Sequence, residues 1–179
     1  MITIELPPSF EKPISASGLT RFLNRARLAV GLQGAVDVLL TRDSSLRELN
    51  RSFRGKNKST DVLSFPTPPE IFHVHAGDLA ISLETAARQA NAYGHTLPEE
   101  IKILILHGVL HLSGEDHETD NGEMAYREAT LRSKFCLPAT LIERTTLTTT
   151  KKHPTATKTP TKTPQKSSPK ASRSQRVVR

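Results

Sequence analysis

The chain has 179 residues, a hydrophobic fraction of 36% and a formal net charge of +7. This length fits one folded domain, no segment approaches the ~20 apolar residues of a membrane span, and the first residues lack the apolar part of a secretory signal. The single cysteine, Cys136, excludes an intrachain disulfide and favours a reducing, cytoplasmic compartment. Because a lone cysteine is more often a small core residue than a nucleophile, we expect Cys136 in the core.

The positive charge is concentrated at the end of the chain. Residues 145–179 hold nine lysines and arginines and no acid, which leaves residues 1–144 near −2. This Thr-, Pro- and Lys-rich segment has too little apolar surface to offset the entropy of ordering, so we predict a disordered tail after a domain spanning residues 1–144. It is either an electrostatic tether to a polyanion such as RNA or a solvated appendage, and the sequence leaves both open.

Within residues 1–144, short β-branched runs alternate with helical patterns, which predicts an α+β or α/β domain. Residues 2–6, 36–41, 60–65 and 78–82 have the pattern of strands. A first helix should end at Gly31, a second should begin near Asp43 or Ser44 with Leu46 and Leu49 facing inward, and a third should begin after Ser82 and end at Gly94. The apolar positions that define the first and third helices are Leu19, Phe22, Leu23, Ala26 and Val30, and Leu83, Ala86, Ala87 and Ala90.

The next helix carries the most information. Thr96 to Glu99 has the form of a capping box with a proline in the first turn, so a helix should start there. The residues that follow are apolar on nearly every side, which predicts the central buried helix of the domain. His107 and His111 are four residues apart and therefore lie on one face of that helix.

The sequence Ser113-Gly114 should end this helix and reverse the chain, which can bring His117 back to the first two histidines. Three neutral imidazoles without a fourth protein ligand describe an open metal site, with zinc as the first choice and nickel, copper or iron as alternatives. The competing interpretation is two hydrogen-bonded core histidines and one surface histidine. Three histidines on a buried helix and its reversing turn favour the metal site.

Zinc peptidases carry a glutamate base directly after the first histidine ligand, where this chain has Gly108. A peptidase of that type would therefore lack its base. A glycine inside a helix costs about 1 kcal/mol relative to alanine, so Gly108 indicates a close approach of backbone or substrate. We interpret it as room beside the metal.

The segment from His107 to His117 reads HGVLHLSGEDH and resembles the signature of the YbeY family, the rRNA maturation factors with endoribonuclease activity. Two further blocks agree with that family: residues 49–56 together with residues 60–66, and residues 77–82. The order and spacing match over about residues 40–137.

The resemblance implies a mixed, mostly parallel four-stranded sheet packed with helices. It also implies one metal ion, taken as Zn²⁺, bound by His107, His111 and His117, and an essential arginine that maps onto Arg54. These four residues are the expected catalytic set. The arginine suits this role because a guanidinium can hold two oxygens of a phosphate on which negative charge develops.

The function implied is a single-strand-specific, metal-dependent endoribonuclease of the cytoplasm, acting in late 70S ribosome quality control and in maturation of the 3′ end of 16S rRNA. The expected partners are single-stranded RNA, rRNA and the ribosome, with a small-subunit ribosomal protein or an assembly GTPase as further partners and no membrane. Two alternatives stay open: a non-enzymatic ribosome-assembly factor with a structural metal, and a metal-dependent hydrolase of another substrate.

The chain departs from the family pattern at Glu115, where an aromatic residue is common before Asp116. Glu115 and Asp116 are candidates for orienting a ligand or transferring a proton, although acids in a turn are more often solvated or capping groups. His73 and His75 are interpreted as an exposed loop pair.

Overall fold

The computed structural model describes residues 1–6, 10 and 14–138. The boundary after residue 144 and the predicted disorder of residues 145–179 lie outside this range. The described chain forms four strands and five helices, in the order β1 (Ile2–Ile4), α1 (Ala16–Ala29), β2 (Ala35–Thr41), α2 (Asp43–Arg54), β3 (Val62–Pro66), β4 (His75–Ser82), α3 (Leu83–Tyr93), α4 (Leu97–Leu112) and α5 (Glu123–Lys134).

The four strands form one sheet in the order β1-β2-β4-β3. β1 is parallel to β2 and β2 is parallel to β4, whereas β3 is antiparallel to β4 and forms an edge of the sheet. The α+β fold with a mixed, mostly parallel four-stranded sheet is therefore confirmed.

Alternate residues of each strand point to opposite faces, and the two faces are covered differently. Leu79 and Ile81 of β4 join the main core, which α4 shares with α1 and α3. Ala80 of β4 and Leu63 of β3 instead pack with Leu46 of α2 in a smaller core. α2 therefore lies on one side of the sheet and α4 on the other.

α4 is the buried centre of the domain, as predicted. The hydroxyl of Thr96 accepts a hydrogen bond from the backbone N–H of Glu99, and the Glu99 carboxylate accepts one from the backbone N–H of Thr96 at 2.7 Å. Every residue from Glu100 to Leu112 except Lys102 is buried. Because α4 is buried and capped at its start, the residues near its end are held in fixed positions.

Several expectations need correction. β1 ends at Ile4, two residues earlier than predicted, and the alternation patterns missed α5. Cys136 is exposed, with a positive φ of 54°, because it forms the turn after α5 and not part of the core. Among the described residues, no helix is long and apolar enough to cross a membrane.

Candidate metal centre

The three histidines predicted as ligands converge at the end of α4. The Nε2 atoms of His107 and His111 are 3.1 Å apart, and the ring of His117 lies 5.3 Å from each of the other two rings. One nitrogen from each ring lies within 4.8 Å of the others. His107 and His111 are buried, whereas His117 is partly exposed and leaves an approach from solvent.

The turn after α4 is what returns His117 to the helix. Gly114 has a φ of 95°, in the left-handed region that glycine adopts without strain, and the backbone N–H of Glu115 reaches the carbonyl of Leu110 at 3.2 Å. The Asp116 carboxylate then accepts a hydrogen bond from the backbone N–H of Glu118 at 3.1 Å. The predicted helix stop and chain reversal are thus confirmed.

Neighbouring acceptors fix the orientation of two of the rings. The Nδ1 of His111 contacts the Glu115 carbonyl oxygen at 2.8 Å, and the Nδ1 of His107 lies 3.4 Å from the Glu128 carboxylate. A proton on each Nδ1 satisfies these acceptors and leaves the lone pair on each Nε2. Two lone pairs that face each other at 3.1 Å repel unless a cation lies between them.

The spacing also suits a metal ion. Imidazole nitrogens that share a tetrahedral zinc at about 2.0–2.1 Å lie roughly 3.3–3.4 Å apart, close to the 3.1 Å between His107 and His111. Burial lowers the pKa of His111 to about 3, with a further contribution from His107, and burial also lowers the pKa of His117. These two imidazoles are therefore neutral at neutral pH, the state in which imidazole binds metals.

Glu128 is the residue of this site that the sequence reasoning missed. Its side chain is 0% exposed, and it lies on α5, which brings its carboxylate to His107. Buried acids are rare unless they are paired, and a carboxylate behind a ligating histidine is the usual way to orient the ring. The available signal was the spacing of Met124, Glu128 and Leu131, which puts an acid on an apolar helical face.

The structure shows no contact between the Glu115 carboxylate and the three imidazoles. It pairs with Arg127 of α5 and accepts a hydrogen bond from the Ser113 hydroxyl at 3.2 Å. The contact between Glu115 and His111 is made by the backbone carbonyl. Glu115 therefore orients a histidine through its backbone, while its side chain links the turn to α5.

Gly108 does not provide room beside a metal, contrary to the expectation. A Cβ at this position would lie 2.7 Å from the Leu79 side chain and 3.3 Å from the Ser64 hydroxyl oxygen. The glycine therefore permits close packing of α4 against β4 and β3, with the Ser64 hydroxyl donating to the Gly108 carbonyl at 3.4 Å. This packing holds the neighbouring His107 at a fixed height above the sheet.

Arg54 is the last residue of α2, which packs on the opposite face of the sheet from α4. Two consecutive residues of the edge strand β3 contact these two helices: the Phe65 ring contacts Phe53 of α2, and Ser64 contacts Gly108 of α4. Arg54 is partly exposed. Its role at the phosphate stays a prediction.

His73 and His75 do not belong to the group formed by the three converging histidines. Exposed His73 precedes β4, whereas His75 is the first residue of β4 and is partly exposed, so the interpretation as an exposed loop pair fits only His73. His75 contacts Asp78 at 3.2 Å, and these two side chains lie close to Asp37. Asp37 also contacts the N-terminal ammonium group of Met1. This cluster is exposed or partly exposed, unlike the two buried histidines of α4.

Two curated relatives match most of this chain. The chain is 56% identical to an endoribonuclease YbeY of Koribacter versatilis over 133 residues, which cover 74% of this chain and 86% of that protein. It is 48% identical to an endoribonuclease YbeY of Solibacter usitatus over 139 residues, covering 77% and 88%. A solution structure from Thermotoga maritima is similar with a TM-score of 0.47 and 28% identity, over 73% of this chain and 85% of that one.

The family model described as endoribonuclease YbeY matches residues 11–135, which include α1 to α5 and all three histidines. The match therefore spans most of the described domain. This chain belongs to the endoribonuclease YbeY family.

Proposed function

We propose that this protein is a metal-dependent endoribonuclease that cleaves single-stranded RNA, with one zinc ion bound by His107, His111 and His117. The observation that carries the proposal is the orientation of the imidazoles: the Nε2 atoms of His107 and His111 face each other at 3.1 Å, with acceptors behind both rings. Partly exposed His117 leaves the centre open to a substrate. Two relatives that match most of this chain are named endoribonuclease YbeY.

A divalent ion bound there would supply Lewis-acid chemistry to a phosphate oxygen and would lower the pKa of water toward about 7. The three histidines would hold the ion without a charged ligand, so the residues that bind it would not neutralise its positive charge. Glu128 and the Glu115 carbonyl keep the rings in the ligating orientation. Packing of Gly108 on β4 fixes the helix that carries two of the rings.

Arg54 is proposed to hold the phosphate at the cleaved bond. Its guanidinium can donate to two phosphate oxygens at once and so stabilise the negative charge that develops during cleavage. The nucleophile is either water or the adjacent ribose 2′-OH. The support for Arg54 is its place in the family's matching block and its position at the end of α2, beside the edge strand that contacts Gly108.

The biological role that we infer is maturation of the 3′ end of 16S rRNA and late 70S ribosome quality control in the cytoplasm. Family membership supports it, together with a chain that concentrates nine positive charges in residues 145–179. That segment would raise the local concentration of RNA around a domain whose net charge is near −2. The inferred partners are the ribosome, a small-subunit ribosomal protein and an assembly GTPase.

A cleavage assay with three substrates tests this function. Zinc-loaded protein is incubated with a single-stranded RNA, an RNA duplex and a peptide, each with and without a chelator and with zinc added back. We expect cleavage of the single strand alone, loss with chelator and recovery with zinc. RNA binding without cleavage under all conditions would favour an assembly factor, and peptide cleavage would favour another type of hydrolase.

A further inference from the structure

We propose that Phe53 is a stacking platform for an unpaired base of the RNA, so that this ring selects single-stranded over paired substrate. The inference rests on the proposed function and adds a specificity-determining residue to it. Two observations support it. Phe53 is an exposed aromatic ring that rests on another ring, and the part of α2 and the following loop in which it lies is rich in cations. An aromatic face accepts any unpaired base, whereas a base within a duplex already has stacking neighbours.

The Phe53 ring is held in place and is still accessible. It is 54% exposed. The Phe65 ring of β3 supports it, with 5.1 Å between the ring centroids and 72° between the planes. Phe65 itself packs on the small core of Leu46, Leu63 and Ala80. An edge-to-face contact of this kind fixes a ring and leaves part of its surface free for a second aromatic group.

The backbone on both sides of Phe53 is also fixed. Buried Asn50 donates a side-chain hydrogen bond to the Lys58 carbonyl at 2.7 Å, which closes the loop after the helix. The Gly55 N–H donates to the Arg51 carbonyl at 3.1 Å while Gly55 adopts a φ of 67°. Because the turn is ordered before a ligand binds, base stacking costs little additional conformational entropy.

The charge around Phe53 identifies the partner as a nucleic acid strand. Residues 47–58 contain five cations and one acid, although residues 1–144 have a net charge near −2. Among the residues that the structure describes, none of these five cations forms an ion pair: Arg47, Arg51, Arg54, Lys56 and Lys58. An exposed aromatic ring in a segment whose cations form no ion pair has the two features that recur in single-strand binding surfaces.

The sheet indicates on which side the RNA backbone lies. Phe65 is paired across the sheet with Asp78 of β4, an acid that repels phosphate. The phosphates are therefore expected on the helix side of Phe53, near Arg51 and Arg54. From there the strand would pass the edge strand β3, whose Ser64 contacts Gly108 next to His107.

Fluorescence can test the stacking directly because the chain contains no tryptophan. In Phe53→Trp, the single indole would report contact with a base through quenching. The matched control is Tyr126→Trp, because Tyr126 is an exposed aromatic residue on α5, at 78% exposure. Both full-length variants are titrated with a single-stranded oligouridylate and with an RNA hairpin whose bases are paired, in the presence of chelator so that no cleavage occurs.

We expect saturable quenching of Phe53→Trp by the oligouridylate, weak quenching by the hairpin, and none for Tyr126→Trp with either RNA. Absence of quenching in Phe53→Trp, or equal quenching of the two variants, would overturn the stacking proposal. Because chelator is present throughout, this result does not depend on whether the protein cleaves RNA.

A kinetic measurement with the zinc-loaded protein adds a second criterion. Loss of one stacked base is worth about 1–3 kcal/mol, so Phe53→Leu should raise KM for single-stranded RNA by roughly 5- to 150-fold. Its kcat at saturation and its metal content should stay near wild type, and Phe53→Tyr should restore KM. A KM of Phe53→Leu within twofold of wild type overturns the proposal.

The two proposals fail separately. Cleavage by wild type without quenching of Phe53→Trp leaves the endoribonuclease assignment intact and removes Phe53. Quenching without any cleavage by the wild type leaves the stacking platform and removes the catalytic assignment.

Discussion

Glu128 offers the sharpest test of how the proposed metal centre is built. Its carboxylate is fully buried and lies 3.4 Å from the Nδ1 of His107, so it should orient this ring and strengthen it as a ligand. Glu128→Gln keeps the volume and an acceptor oxygen but removes the charge. Loss of such an orienting group typically weakens metal binding about 10- to 100-fold, which corresponds to about 1.4–2.7 kcal/mol.

Glu115→Gln is the matched control, since it makes the same substitution at another glutamate near the same three histidines. The Glu115 carboxylate pairs with Arg127, and only its backbone carbonyl contacts His111, so the substitution should change zinc affinity by less than about threefold. The assay is competition for zinc against a chromogenic chelator at pH 7.5, with circular dichroism to confirm folding. Equal zinc affinities of the two folded variants, or a larger loss in Glu115→Gln, would refute this account.

Three other variants and conditions test different parts of the structure. Arg54→Ala should retain zinc and thermal stability but lose RNA cleavage. Arg54→Lys should restore little activity because lysine cannot donate to two phosphate oxygens at once as arginine does. A fully active Arg54→Ala protein would remove Arg54 from the site. Because the pKa of His111 falls from 6.5 to about 3 on folding, the unfolded chain binds a proton that the native chain does not, so the metal-free protein should lose stability as pH falls from about 6.5 to 3. Urea unfolding at several pH values measures this, and a slope that is unchanged in His111→Asn would contradict it. Gly108→Ala should destabilise the protein by up to about 2 kcal/mol, since overpacking against Leu79 outweighs the gain in helix propensity; increased stability in urea would show that Leu79 moves aside at no cost.

Much of the fold was predictable because its signals are local. The capping box at Thr96 and the apolar run that follows predicted α4, and Ser82 and Gly94 predicted the bounds of α3. The proposed ligand positions followed in part from helix periodicity, which places His107 and His111 on one face. His117 depended on a turn, and the glycine at position 114 was the signal for it.

The features that were missed depend on tertiary contacts. α5 has a modest apolar face, so its pattern alone did not identify a helix, and its buried acid Glu128 therefore went unnoticed. The interpretation of Gly108 was wrong because close approach to Leu79 and close approach to a metal require the same small residue. Cys136 was expected in the core because a lone cysteine is more often a small core residue. Composition cannot show that this cysteine forms the turn after α5.

The central claim is that one metal ion bound by three imidazoles is required for RNA cleavage. The most direct measurement is zinc content per chain together with single-stranded RNA cleavage, made on the same preparations of wild type and His111→Ala. We expect about one zinc per wild-type chain and cleavage that a chelator abolishes, with loss of both zinc and cleavage in the folded variant. A folded His111→Ala protein that keeps full zinc occupancy or full cleavage would contradict the claim.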